Sequence, residues 1–348
     1  MVFLCFLSLD TFAQSNSDLQ TAADKAFAEK DYLSAINLYR KVNVPINGTR
    51  TFNVGESYAY WGNDLEALEW FKLAVDRGSV PAMRRIADIL LKGGRGFESD
   101  PKEAFEWYKL AAGKQDTEAY YKMGYCYKKG YGTTVDYTEA VRWFEAAAQK
   151  GNTDAMTELA TLQFEGKGVT KDVQAGFAWL EKAARANDRT AMVILARYCY
   201  EGVMLKAPDY AKAMYWFKQL ADGHSHISSM LYIGEMYQDG KGVPKDNNQA
   251  FEWYKKGADK GSRDGMNAVG ACYMKGTGVA QDYAKALEWF KKSAGRDFPK
   301  GMYNLAYMYE NGLGTAIDLS EALIWYKKAD ESGYNAKQAI ERLQNKKW

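Results

Sequence analysis

The sequence predicts an all-α protein: a right-handed α-α solenoid of about nine helix-turn-helix units with a C-terminal capping helix. Three observations carry that prediction. Tryptophan followed by an apolar residue occurs at Trp70-Phe71, Trp107-Tyr108, Trp143-Phe144, Trp179-Leu180, Trp216-Phe217, Trp253-Tyr254, Trp289-Phe290 and Trp325-Tyr326, always 36 or 37 residues apart. Seven residues before each Trp stands Asn63, Asp100, Asp136, Asp172, Asp209, Asp246, Asp282 or Asp318. Between these marks runs a Gly-x-Gly loop, at Gly94-Arg95-Gly96, Gly130-Tyr131-Gly132, Gly166-Lys167-Gly168, Gly240-Lys241-Gly242, Gly276-Thr277-Gly278 and Gly312-Leu313-Gly314.

The N-terminus comes first. Met1 to Leu9 is an apolar run, and Thr11-Phe12-Ala13 places small residues where signal peptidase cuts. Residues 1–14 therefore read as a signal peptide of an exported chain, periplasmic or extracellular. The alternative is a partly buried N-terminal segment of a cytoplasmic protein. No later apolar run approaches the roughly 18 residues that span a bilayer.

Residues 15–79 hold two helix pairs, marked by Asp31…Tyr39 and Asn63…Phe71, with no Gly-x-Gly loop. Residues 80–333 hold about seven longer units. In each, Asp or Asn accepts a free backbone N–H of the first turn, so a helix starts just after it. Ala three residues before the Trp (Ala104, Ala140, Ala213) shares the Trp's face by i, i+3 spacing and admits a neighbouring helix. This is the second helix of the unit, and its Trp is expected to be buried against neighbouring units. The first helix starts near Ala119, Ala155, Ala191, Ser229, Gly265 and Gly301. Tyr120, Met156, Met192, Met230, Met266 or Met302 follows, and a Gly or Ala stands four residues further on. Large-then-small at that spacing describes a packed face, so the Met stripe is core filler. The first Gly of each loop suits the left-handed residue that ends a helix. Residues 334–348, charged and without the Trp-aromatic pair, form the capping helix that a solenoid end requires.

Composition narrows the function. Of 348 residues, 46 are Lys or Arg and 44 Asp or Glu. With no basic block, a nucleic-acid partner is not expected. Hydrophobic residues make up 47%, enough for a continuous core. Cys126, Cys199 and Cys272 lie 73 residues apart, two units each, which is too far for a disulfide; they read as core residues. His224 and His226 are the only histidines and read as a solvated turn. The Gly-x-Gly loops follow no strand and have neither a third Gly nor a Lys-Ser/Thr, so a nucleotide role is not expected. No nucleophile elbow, zinc-protease or Cys-x-x-Cys motif occurs. We expect no enzyme, no cofactor and no metal.

The unit Gly234 to Gly261, with Gly240-Lys-Gly242, Asp246, Ala250 and Trp253-Tyr254, resembles the Sel-one-like repeat, a longer-looped relative of the tetratricopeptide repeat. The two N-terminal pairs resemble ordinary tetratricopeptide units, and the loop Gly202 to Pro208 departs by losing its second Gly. The resemblance implies a protein-interaction scaffold or adaptor whose first helices line a concave face and take a protein or peptide partner. On that face fall the i, i+4 pairs Tyr121 and Tyr125, Thr157 and Thr161, Val193 and Arg197, Leu231 and Glu235, Asn267 and Ala271, and Tyr303 and Tyr307. The tyrosines either contact the partner or pack between repeats. The alternative function is an exported regulator that binds carbohydrate or cell-envelope polymers through aromatic faces.

Overall fold

The computed structural model describes residues 16–42 and 47–345. The apolar run and the cleavage site at residues 1–14, with Cys5, lie outside the described residues. These form helices without a strand and divide into two compact units, Met1–Ala186 and Asn187–Trp348.

The first unit holds five helix pairs: α1 (residues 16–28) with α2 (Tyr32–Lys41), α3 (Gly48–Tyr60) with α4 (Asp64–Asp76), α5 (Val80–Lys92) with α6 (Pro101–Gly113), α7 (Thr117–Lys129) with α8 (Tyr137–Gln149), and α9 (Thr153–Glu165) with α10 (Val173–Arg185). The second holds four: α11 (Arg189–Glu201) with α12 (Tyr210–His224), α13 (Ile227–Asp239) with α14 (Asn247–Asp259), α15 (Arg263–Lys275) with α16 (Tyr283–Ala294), and α17 (Pro299–Asn311) with α18 (Leu319–Glu331). The terminal helix α19 (Lys337–Gln344) follows. From α2 onward each helix packs on its chain neighbours within its unit, so each unit is an all-α repeat solenoid.

Every second helix from α4 to α18 starts where the Asp/Asn periodicity places it. Asn63, Asp100, Asp136, Asp172, Asp209, Asp246, Asp282 and Asp318 are the N-caps, and each side chain accepts a backbone N–H of the first turn. The first helices start two residues earlier than the Ala/Met pattern suggests. Asp116, Asn152, Asp188 and Ser262 cap α7, α9, α11 and α15. Five first helices end on a left-handed Gly of the Gly-x-Gly loop, at Gly130, Gly166, Gly240, Gly276 and Gly312. The second Gly has a different task. A Cβ on Gly278 would lie 1.9 Å from the carbonyl oxygen of Asn247, so the loop rests directly on the start of the preceding second helix.

Three expectations need correction. The Trp is not the principal core residue. The residue after it is, with Phe71, Phe144, Phe290 and Tyr326 fully buried, whereas among the eight tryptophans only Trp216 and Trp253 are buried. The other six indoles lie half-buried at the rim, where Lys292 and Lys328 place their ammonium groups 4.4 and 4.3 Å from the centroids of Trp289 and Trp325; Lys256 lies 3.8 Å from that of the buried Trp253. The Gly94 loop is not of the common type either: α5 ends on Gly93, and Gly94 bridges to Phe97. His226 is half-buried at the N-cap position of α13, where Nδ1 lies 2.8 Å from Ser229 Oγ, so it is more than a solvated turn residue. The loop that lost its second Gly keeps the geometry through Met204, held at φ +61°.

Candidate interaction surface

Packing consumes the inward stripe of each first helix and leaves the positions one residue after the Met stripe, and four further on, half-buried or exposed, with Asn267 the buried exception. In the first unit this face is tied by ion pairs that cross from one repeat to the next. Arg50 Nη2 lies 2.9 Å from Asp24, Lys122 Nζ lies 3.5 Å from Asp88, and Arg85 pairs with Glu56 and Lys128 with Glu158. Tyr121 and Tyr125 are half-buried on this ladder with centroids 6.2 Å apart, and Tyr131 extends the row 6.1 Å beyond Tyr125. Burial, with Glu158 the nearest anion, raises the Tyr121 hydroxyl pKa well above its ordinary value, so it stays protonated. A cleft of about 470 Å³ beside Tyr125 holds Asp88, which accepts from Tyr108 Oη at 2.6 Å. Thr157 and Thr161 on α9 are half-buried, and Thr161 Oγ1 donates to the Thr157 carbonyl at 3.1 Å.

The second unit differs. Val193 is half-buried on α11, and Arg197 is exposed and pairs with Glu201 at 3.5 Å. Leu231, Glu235, Asn267 and Ala271 come together on one groove of about 800 Å³ over α13, α15 and the start of α17. Glu235 is exposed and accepts from Tyr200 Oη at 3.3 Å. Asn267 is only 7% exposed, and its Oδ1 accepts from Asn304 Nδ2 at 2.7 Å. Between α13 and α15 no ion pair or side-chain hydrogen bond crosses among the described residues, so the ladder of the first unit has no counterpart there. At the far end Tyr303 packs between Tyr326 and Tyr334, each with its centroid 5.0 Å away, while Tyr307 is 41% exposed. The two tyrosines of that pair therefore have different surroundings: one is packed, the other open.

Sequence reading missed Lys275, Lys300 and Asn304, which also line the groove. The available signal was a comparison of equivalent positions along the chain. The last residue of the first helix changes sign along the chain, from Lys92 and Lys129 through Glu165, Glu201 and Asp239 back to Lys275. The second residue is Asp154 in α9, Asp264 in α15, then Lys300 in α17.

The buried thiols Cys126 and Cys272 are pushed up to about 12 and about 11 by burial, which keeps them protonated. Cys126, Cys199 and Cys272 are buried, and no disulfide joins them, as their spacing implies. Among the described residues no three His, Cys, Asp or Glu side chains gather as a metal site, and no helix is long and apolar enough to cross a membrane.

Stacked helix pairs that present a row of first-helix side chains define a helical-repeat scaffold. The family model described as Sel1 repeat matches residues 53–79, 80–116, 117–152, 153–188, 190–225, 227–262, 263–297 and 299–334, well over half of the chain. The chain belongs to the Sel1 repeat family, a tetratricopeptide-like helical repeat family whose members generally mediate protein–protein interaction and are typically not catalysts. From 80 onward each matched segment takes in one helix pair; the first match, 53–79, takes in most of α3 and α4.

Among solved structures, the chain is similar to a Sel1 repeat protein from Oxalobacter formigenes (28% identity, TM-score 0.49, covering 66% of this chain and 91% of that one). It is also similar to c5321, a protective antigen of uropathogenic Escherichia coli strains displaying an SLR fold (20%, 0.38, 97% and 91%). A third likeness is to yeast Tom70 (12%, 0.34, 95% and 96%). No curated protein matches the chain.

Proposed function

We propose that the chain is a non-catalytic scaffold that binds a protein or peptide partner on the first-helix face of its units, with the second unit's groove as the principal contact. The observation that supports this most is the groove itself. It gathers Leu231, Glu235, Asn267 and Ala271, apolar and polar side chains together, in one groove on the first-helix face. A photo-crosslinking amino acid placed at Glu235, Tyr307 or Tyr125 tests the reading in extract of the source cells. Polypeptide adducts are expected at these positions and not at Tyr215, an exposed residue of the second helix α12. Equal labelling at Tyr215, or no adduct at any position, contradicts it.

We infer also that the N-terminal apolar run directs export, with cleavage after Ala13 of Thr11-Phe12-Ala13. The mature chain is then expected to begin at Gln14 and to be recovered outside the cytoplasm. An uncleaved cytoplasmic chain overturns this.

A further inference from the structure

The groove over α13, α15 and the N-terminus of α17 departs from the repeat pattern at two lining positions. Where α13 carries Leu231 and α17 carries Tyr303, α15 carries Asn267, and Lys300 stands where α15 carries Asp264. Lys275 ends α15 as Lys92 and Lys129 end α5 and α7, whereas the adjacent α13 ends on Asp239.

Asn267 is more than nine-tenths buried. Its Oδ1 is fixed by Asn304, while its Nδ2 makes no hydrogen bond to protein among the described residues and opens on the groove. That donor is free to pair with solvent or with an occupant. Lys300 also departs from the repeat. It occupies the first turn of α17, where the helix dipole disfavours a cation. The cap of that helix is Phe298, which offers no side-chain acceptor. Lys300 and Asn304 are i, i+4 neighbours, so cation, open helix N-terminus and amide pair lie at one end of the groove.

The charges do not cancel within the groove. The lining carries Lys241, Lys245, Lys275 and Lys300 against Glu235, Asp239 and Asp264. Asp239 pairs with Lys241 at 3.0 Å and Asp264 lies 4.0 Å from Arg263, while Glu235 accepts from Tyr200 and keeps its charge. Lys245, Lys275 and Lys300 find no carboxylate within ion-pair distance among the described residues. Two of them are at the end of the groove opposite Lys300. The stretch of α15 from Asp264 to Lys275 rises roughly 16 Å at 1.5 Å per residue.

We propose that this groove binds an extended acidic peptide segment. One side-chain carboxylate meets Lys300 and the α17 N-terminus, a second meets Lys275 and Lys245, and the main chain between them accepts from Asn267. The inference rests on the scaffold reading above and adds the chemistry of the partner. A single C-terminal carboxylate does not satisfy it, because the cations stand too far apart. Extended chain advances about 3.3 Å per residue and its side chains alternate, so the acidic residues are about four or six positions apart, on one side of the segment.

The test uses the full mature chain and labelled dodecapeptides with blocked ends, of alternating Glu and Ser, of Gln and Ser, and of Lys and Ser. A further Gln–Ser peptide carries a free C-terminal carboxylate. Fluorescence anisotropy is expected to show binding of the Glu peptide that weakens with added salt, and binding of the Gln and Lys peptides at least about tenfold weaker. Asn267→Leu and Lys300→Asp install residues that neighbouring repeats already carry, so both variants are expected to melt like the parent. Each is expected to weaken the Glu peptide by about fivefold or more. Equal binding of the Glu and Gln peptides, undiminished binding by both variants, or binding of the free-carboxylate Gln peptide as tightly as the Glu peptide overturns the proposal. If adducts form at Glu235 and Tyr307 but the Glu peptide does not bind, the acidic occupant is wrong and the scaffold reading stands.

Discussion

At the residue scale, the aromatic after each Trp bears more of the fold than the Trp. Phe290 is fully buried, and its ring would lie 2.8 Å from a Cβ on Gly270, so the first helix approaches closely only because that position is small. Phe290→Ala leaves a cavity and is expected to cost about 3–5 kcal/mol. Trp325→Ala, at the rim, is expected to cost less than half as much, and urea melts of the two variants settle the order. The tyrosine pair on α17 splits in the same way. Tyr303→Ala is expected to lower the melting temperature by removing a ring packed on Tyr326 and Tyr334. Tyr307→Ala is expected to leave it within about a degree, since surface changes stay within roughly ±0.5 kcal/mol. The i, i+4 spacing put both tyrosines on one face but could not tell them apart. Tyr334, which covers Tyr303, lies beyond the last Trp mark, where the periodicity no longer reports contacts.

At the element scale, the caps are the part of the fold that sequence reads to the residue. Asp and Asn seven before the Trp act through a local hydrogen bond, which needs no tertiary context to be recognised. The first-helix starts were read two residues late because their caps vary among Asp, Asn and Ser, and His226 and Phe298 supply no side-chain cap bond. Asn152→Ala, which removes the bond to the Ala155 N–H, is expected to cost about 1 kcal/mol. The carboxyls of Asp282 and Asp318 are held below the ordinary aspartate range, chiefly by the backbone N–H groups of Lys285 and Glu321. Their folded pKa is depressed, so their contribution is present above the unfolded-state value near 4. It is lost as pH falls through the folded value. Amide exchange in the first turns of α16 and α18 is expected to rise, relative to that of uncapped α13, as pH drops below about 4. An unchanged ratio would mean the caps are not the cause. The groove residues were only partly legible. Leu231, Glu235, Asn267 and Ala271 follow from helical spacing. Lys300 signals itself only as an exception to the repeat, Lys275 only through its place beside the groove, and Asn304 only through the bond it makes.

At the scale of the whole molecule, each unit is held by contacts between neighbouring helices. The C-terminal end shows how such a stack is closed. Leu343 and Ala339 of α19 are buried, and Arg342 donates to both carboxylate oxygens of Glu310 on α17, at 3.0 and 2.7 Å. Arg342→Ala is expected to loosen α19 by about 1 kcal/mol, because the arginine side is half exposed while the pair is bidentate. Removing residues 334–348 is expected to uncover the apolar face of α17 and α18 and promote aggregation, with α3 and α4 still folded. Stability in a repeat array is a sum of local and nearest-neighbour terms, and that is the claim most open to a single measurement. Native-state hydrogen exchange on Phe290→Ala is the direct test. The account predicts faster exchange in α15, α16 and α17 and unchanged protection in α3 and α4. A uniform loss of protection along the whole chain would contradict it.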